Sequence, residues 1–145
     1  MNKDNPIAVL SKGFALRIVK LEKYLREEKK EFTLSRQILR SGTSIGANIR
    51  ESIYAQSKAD FISKMSIALK ESSETEYWLE LLHESGYVAD GPFESIYDDN
   101  CKISATLINI KKESQGIRRI MVIGYCITFI VKQWEEHLNI AKRQN

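Results

Sequence analysis

The sequence predicts an all-α protein, an antiparallel up-and-down four-helix bundle with a C-terminal extension. Three observations lead there. Apolar residues recur at three- and four-residue steps through four successive segments. Only two prolines and seven glycines punctuate the 145 residues. No run before residue 117 reads convincingly as a strand. Short connections between long helices make sequential neighbours antiparallel. A chain of this length buries about two-thirds of its unfolded surface, so a core forms without disulfides or metals.

The first helix follows Asn5-Pro6, a cap residue and then proline at the first helical position. Ile7, Leu10, Phe14, Ile18, Leu21 and Leu25 share one face, and the charged stretch Glu27–Glu31 ends it. Thr33 is placed to cap the second helix, whose inward stripe is Leu34, Ile38, Gly42, Ile45, Ile49 and Ile53. A glycine inside a helix costs about 1 kcal/mol relative to alanine. Gly42 sits on the stripe and implies a close helix–helix approach, whereas Gly46 lies off it and has no evident reason. Ser57-Lys58-Ala59-Asp60 is a capping-box pattern for the third helix. Its stripe is Phe61, Met65, Ala68, Ser72, Thr75, Leu79 and Leu82, and Gly86 supplies the stop. Gly91-Pro92 opens the fourth helix, with Ile96, Ile103, Leu107 and Ile110 inward until about Gln115. The bundle therefore spans residues 1–115 and the extension residues 116–145. From Ile117 the chain turns β-branched and apolar, and then Val131, Trp134, Leu138 and Ala141 return to helical spacing. An added helix, a short strand and a docking segment all fit that pattern.

Composition excludes several classes of function. No long apolar stretch follows the start MNKDNPIAVLSK, and the longest apolar run, Ile120–Val131, is too short for a bilayer about 30 Å thick. Two distant cysteines, Cys101 and Cys126, fit a reducing, cytoplasmic setting without membrane contact. Cys101 is read as a small apolar residue near the inward face of the fourth helix. The net charge of +3 hides an asymmetry. Residues 1–70 hold 14 Lys/Arg against 7 Asp/Glu, whereas residues 71–145 hold 8 against 12. A basic half of this kind meets either a nucleic acid or the acidic half of a neighbouring subunit.

Catalytic and metal motifs lack their required context. Gly42-Thr43-Ser44-Ile45-Gly46 matches G-x-S-x-G literally, but a nucleophile elbow needs a strand-to-helix turn, and this stretch lies inside a helical repeat. His83-Glu84 lacks a second histidine four residues on, so no zinc pair forms. His83 instead suits the dipole at a helix end. No catalytic residue, metal ligand or cofactor is therefore expected. Ser41, Ser44, Asn48 and Glu51 follow one edge of the second helix at spacings of three, four and three. They form either a polar seam, with Asn48 and Glu51 bonding a neighbouring helix, or a polar site for a phosphate or base.

The remaining signal is basic. Arg36, Arg40 and Arg50 on the second helix, with Lys12, Lys23, Arg26 and Lys30 on the first, are the candidate phosphate contacts. Their alternative partners are acidic residues of an adjacent subunit near Glu71, Glu74 and Glu76. Second apolar faces support such a subunit contact: Val9, Leu16 and Val19 on the first helix, and Ile62, Ile67, Tyr77, Trp78 and Leu81 on the third.

Arg40-Ser41-Gly42-Thr43-Ser44-Ile45-Gly46-Ala47-Asn48-Ile49-Arg50-Glu51 resembles the R-S-x-x-S-I-x-x-N-I-x-E core of a bacterial four-helix-bundle family. That family was first described from open reading frames within intervening sequences of large-subunit ribosomal RNA genes. Ser57-x-x-Asp60-Phe61, Ala68 and Glu74 extend the match, which runs from about Phe14 to Val88. Arg50 departs from the small residue usual before the glutamate, and the chain after about Gln115 extends past the usual end. The resemblance implies a homopentamer with no established biochemical activity. It also implies kinship with the accessory protein of diversity-generating retroelements, a basic pentameric bundle implicated in binding nucleic acid and reverse transcriptase. An RNA- or DNA-linked role is thus expected by analogy.

Overall fold

Four helices, α1 (Pro6–Glu27), α2 (Leu34–Ser52), α3 (Lys58–Glu84) and α4 (Asp90–Ser114), make up the described part of the protein in a computed structural model that covers residues 5–114 and Gly116. Local chemistry sets the helix ends. The Asn5 side chain accepts a hydrogen bond from the Ile7 amide at 3.1 Å, with Pro6 in the first turn. Ser57 Oγ accepts from the Asp60 amide at 3.1 Å, and Asp60 Oδ2 in turn accepts from the Gln56 amide at 3.1 Å. Gly86 adopts a left-handed φ of 76°, and the Leu82 carbonyl accepts from both Tyr87 and Val88 amides, closing α3.

One expected cap is replaced. Thr33 makes no side-chain cap bond. Glu31 Oε1 accepts from the Thr33 and Leu34 amides at 2.9 Å, and Oε2 accepts from the Ser35 amide at 2.7 Å. A carboxylate supplies negative charge to the positive end of the helix as well as acceptors, which a hydroxyl cannot match. Lys30 stands just before it with a left-handed φ of 54°, turning the chain so that Glu31 is buried and Phe32 is exposed.

The inward stripes meet in one core. Phe14, Ile18 and Leu25 of α1, Ile38, Ile45 and Ile49 of α2, Met65, Leu79 and Leu82 of α3, and Ile103 and Leu107 of α4 are fully buried. Cross-helix pairs show that consecutive helices run antiparallel. Gly42 lies against Ile18, Arg40 and Glu51 of α2 bond Glu74 and Lys64 of α3, and Ser72 and Glu76 of α3 bond Ser104 and Tyr97 of α4. The ring closes between α1 and α4, where Arg17 donates to the Ser95 carbonyl (3.1 Å) and hydroxyl (2.9 Å) and pairs with Asp99.

Gly42 fulfils the close-approach expectation: an added Cβ would stand 2.8 Å from Ile18 Cγ1. Gly46 faces α1 as well, where a Cβ would lie 3.5 Å from the Ser11 carbonyl oxygen. On α4 the buried stripe is Ile96, Asn100, Ile103 and Leu107, so Asn100 holds a core position and Cys101 is exposed, contrary to the inward reading of that cysteine. The reason is chemical: Asn100 Nδ2 donates to the Ser72 carbonyl (3.0 Å) and its Oδ1 accepts from Ser72 Oγ (2.9 Å). The helix also begins at Asp90, one residue ahead of Gly91-Pro92. Residues 117–145, for which helix, strand and docking segment were the alternatives, lie outside the described residues.

Candidate nucleic-acid interface

The antiparallel pairing of α1 and α2 decides where the seven candidate cations stand. Lys12, near the start of α1, and Arg50, near the end of α2, line one half-open groove of about 760 Å³. The groove has small residues from both helices, among them Ser11, Thr43 and Gly46, together with the apolar Val9 and Leu16. Lys23, Arg26, Lys30 and Arg36 belong to the opposite end, around the α1–α2 turn. The two groups are about 21 Å apart along α1, reckoned from Lys12 to Arg26 at 1.5 Å per residue. Arg40 projects toward α3.

Ion pairing divides these cations further. Arg40 is held by Glu74 and, at 3.7 Å, by Glu71. Hydrogen bonds from Arg40 and from Trp78 Nε1 (3.1 Å) keep the Glu74 carboxyl below its ordinary range. The acidic partners foreseen on an adjacent subunit are thus met within one chain at Glu71 and Glu74, while Glu76 accepts from the Tyr97 hydroxyl at 2.7 Å. Arg26 pairs with Glu22 (3.1 Å) and Glu27 (3.3 Å), and Lys23 reaches Glu27 at 4.0 Å. Lys12, Lys30, Arg36 and Arg50 have no carboxylate partner among the described residues, and all four are exposed. Arg36 Nε donates to the Phe32 carbonyl at 2.7 Å, which draws its guanidinium to the α1–α2 turn.

The polar edge of α2 does not converge. Ser41 is buried and accepts from Thr75 Oγ1 of α3 at 3.0 Å. Asn48 Nδ2 donates to the Ser44 carbonyl at 2.9 Å, within its own helix rather than to a neighbour. Glu51 pairs with Lys64 of α3. Ser41, Asn48 and Glu51 thus turn to three different partners, Thr75, the Ser44 carbonyl and Lys64. Ser44 of the G-x-S-x-G stretch lies in the middle of α2. His83 sits at the end of α3, stacked on Phe93 at 4.1 Å with its Nδ1 3.1 Å from the Val88 carbonyl oxygen.

Sequence reasoning passed over the aromatic residues of the α1–α2 turn. Tyr24 is 41% exposed and Phe32 is 51% exposed. Lys29 Nζ lies over the Tyr24 ring, 5.7 Å from its centroid. The signal was available in Tyr24-Leu25-Arg26-Glu27-Glu28-Lys29-Lys30-Glu31-Phe32, where two aromatics flank the basic pair.

An antiparallel four-helix bundle with a basic α1–α2 side is therefore the class of protein that fold and site define. The chain belongs to the 23S rRNA-intervening sequence protein family, whose model matches residues 3–109. It is also similar to a protein of unknown function from the S23 ribosomal protein family of Bacteroides thetaiotaomicron, known from a crystal structure. The two share 57% identity and superpose with a TM-score of 0.73, covering 73% of this chain and 98% of that one. No protein of curated function matches. Neither description carries an activity, and among the described residues no helix is long and apolar enough to cross a membrane.

Proposed function

We propose that this protein is a non-enzymatic, cytoplasmic, homo-oligomeric bundle that associates with RNA through the basic side of α1 and α2. The observation that carries the reading is that four of the seven candidate cations on α1, α2 and their connection, Lys12, Lys30, Arg36 and Arg50, are exposed and without a carboxylate partner among the described residues. The family's description in terms of ribosomal-RNA intervening sequences supports RNA as the polyanion. Four cations per subunit bind phosphates weakly, and an oligomer that repeats the patch gains affinity by multivalency. A pentamer is the favoured number, following the resemblance set out above. Such binding is largely independent of sequence and weakens steeply with salt, because each phosphate contact releases counterions.

Fluorescence anisotropy with a labelled RNA, titrated from about 50 mM salt upward, tests this. Saturable binding that collapses with salt and is lost in Lys30→Glu/Arg36→Glu supports the reading. Absence of binding at about 50 mM salt overturns it.

A second reading is a homo-oligomeric scaffold without nucleic acid. It is favoured by Val9, Leu16 and Val19 on α1 and by Ile67 and Tyr77 on α3, all exposed. Such apolar side chains on two different faces suit a heterologous interface that closes a ring. An intact oligomer that ignores RNA is the outcome that selects it.

A further inference from the structure

We propose that the α1–α2 turn is a stacking platform for unpaired bases, so that the RNA this protein takes is single-stranded; the inference rests on the RNA reading above and narrows it. An exposed aromatic ring alone needs no explanation on a protein surface. Here two such rings, Tyr24 in the last turns of α1 and Phe32 just before α2, bracket the connection and its cations. Phe32 is half exposed and has no aromatic ring partner among the described residues. Its backbone carbonyl accepts from Arg36 Nε at 2.7 Å, which ties a phosphate-binding group to the same residue. Tyr24 presents a second exposed ring, with Lys29 over it.

The acidic residues of the turn do not cancel this charge. Glu31 is buried, its carboxylate spent on three α2 amides. Glu27 is taken by Lys23 and Arg26. Glu28 alone remains unpaired, against Lys29, Lys30 and Arg36. Aromatic faces interleaved with unpaired cations match single-stranded nucleic acid, where splayed bases stack and the backbone follows the positive charge. A duplex buries its base faces in its own stack and offers Phe32 nothing to cover. The left-handed Lys30 holds the arrangement in place, because it sends Glu31 inward and leaves Phe32 outward.

The test compares a labelled 12-nucleotide oligouridylate with a 12-base-pair RNA duplex, by anisotropy at about 50 mM salt. The wild-type chain is measured beside Phe32→Ala, Phe32→Tyr and Arg36→Ala. Expected is tighter binding of the single strand than of the duplex. Phe32→Ala should weaken the single strand about five- to a hundredfold and leave the duplex unchanged, and Phe32→Tyr should restore binding. Helical circular dichroism equal to wild type confirms that each variant is folded. Equal affinity for both RNAs, with Phe32→Ala silent and Arg36→Ala weakening both, overturns the platform while leaving the RNA reading intact. No binding of either RNA overturns both.

Discussion

Glu31 ties α1 to α2: its amide donates to the Leu25 carbonyl at 3.0 Å, and its carboxylate caps α2. Burial opposes its ionisation, but the amides of Leu34, Ser35 and Thr33 outweigh that effect and hold its carboxyl below the ordinary value of 4.5. A depressed carboxyl contributes stability in full above its unfolded value and loses it as pH falls through the folded one. Wild-type stability should therefore drop on acidification below about pH 4.5. Glu31→Gln should cost about 1–3 kcal/mol at neutral pH and flatten that acid limb, as read in urea melts between pH 2 and 7. The two glycines of α2 should respond with opposite signs. Gly42→Ala drives a methyl into fully buried Ile18, and overpacking of about 1–3 kcal/mol outweighs a helix-propensity gain of about 1 kcal/mol. Gly46→Ala meets Ser11 at an ordinary contact distance and should stabilise by about 0.5–1 kcal/mol. Thermal melts of the two variants check the pair, and a loss in both would mean that α1 and α2 also sit tightly at Gly46.

At the scale of the element, α3 and α4 are registered by a polar contact within an apolar stripe. Asn100 takes the place between Ile96 and Ile103 because Ser72 satisfies its amide on both sides. Asn100→Ala should destabilise by about 1–3 kcal/mol, since it removes two buried hydrogen bonds. Asn48→Ala, by contrast, removes only a bond to the carbonyl of its own helix and should stay within about 0.5 kcal/mol. Paired urea denaturation curves distinguish these outcomes. The difference was hidden in the sequence, where both asparagines border an apolar stripe. Periodicity ranks positions by angle around a helix, and it does not say which neighbour offers a matching donor and acceptor.

At the scale of the whole molecule, the acidic residues of α3 bear on assembly. Arg40 pairs with Glu71 and Glu74, and the Tyr97 hydroxyl donates to Glu76, so each of these carboxylates already has a partner within one chain. In the proposed oligomer, contact between copies would then fall to the apolar faces, and burial of apolar surface is little affected by screening. Light scattering should return a mass near five times 16.7 kDa that stays constant between about 50 and 500 mM salt, while RNA affinity falls over the same range. Leu16→Glu, on an exposed face of α1, should reduce the mass without unfolding the bundle. A wild-type mass near 16.7 kDa would remove the assembly from the proposal.

The sequence by itself determined the four helices, each of their starts to within a residue, and the apolar face each one buries. Those features follow from local capping chemistry and from a 3.6-residue period, and both are written in consecutive residues. The close approach at Gly42 was legible for the same reason, because a glycine on an inward stripe has few other uses. Only the tertiary structure decided that Glu31 rather than Thr33 caps α2, that Asn100 rather than Cys101 faces the core, and that Arg40 is tied to Glu71 and Glu74 whereas Arg36 is not. Each of these depends on which polar group finds a partner across a gap in sequence. Charge and hydrogen-bond satisfaction are properties of the pair, and the pair exists only once the helices have packed.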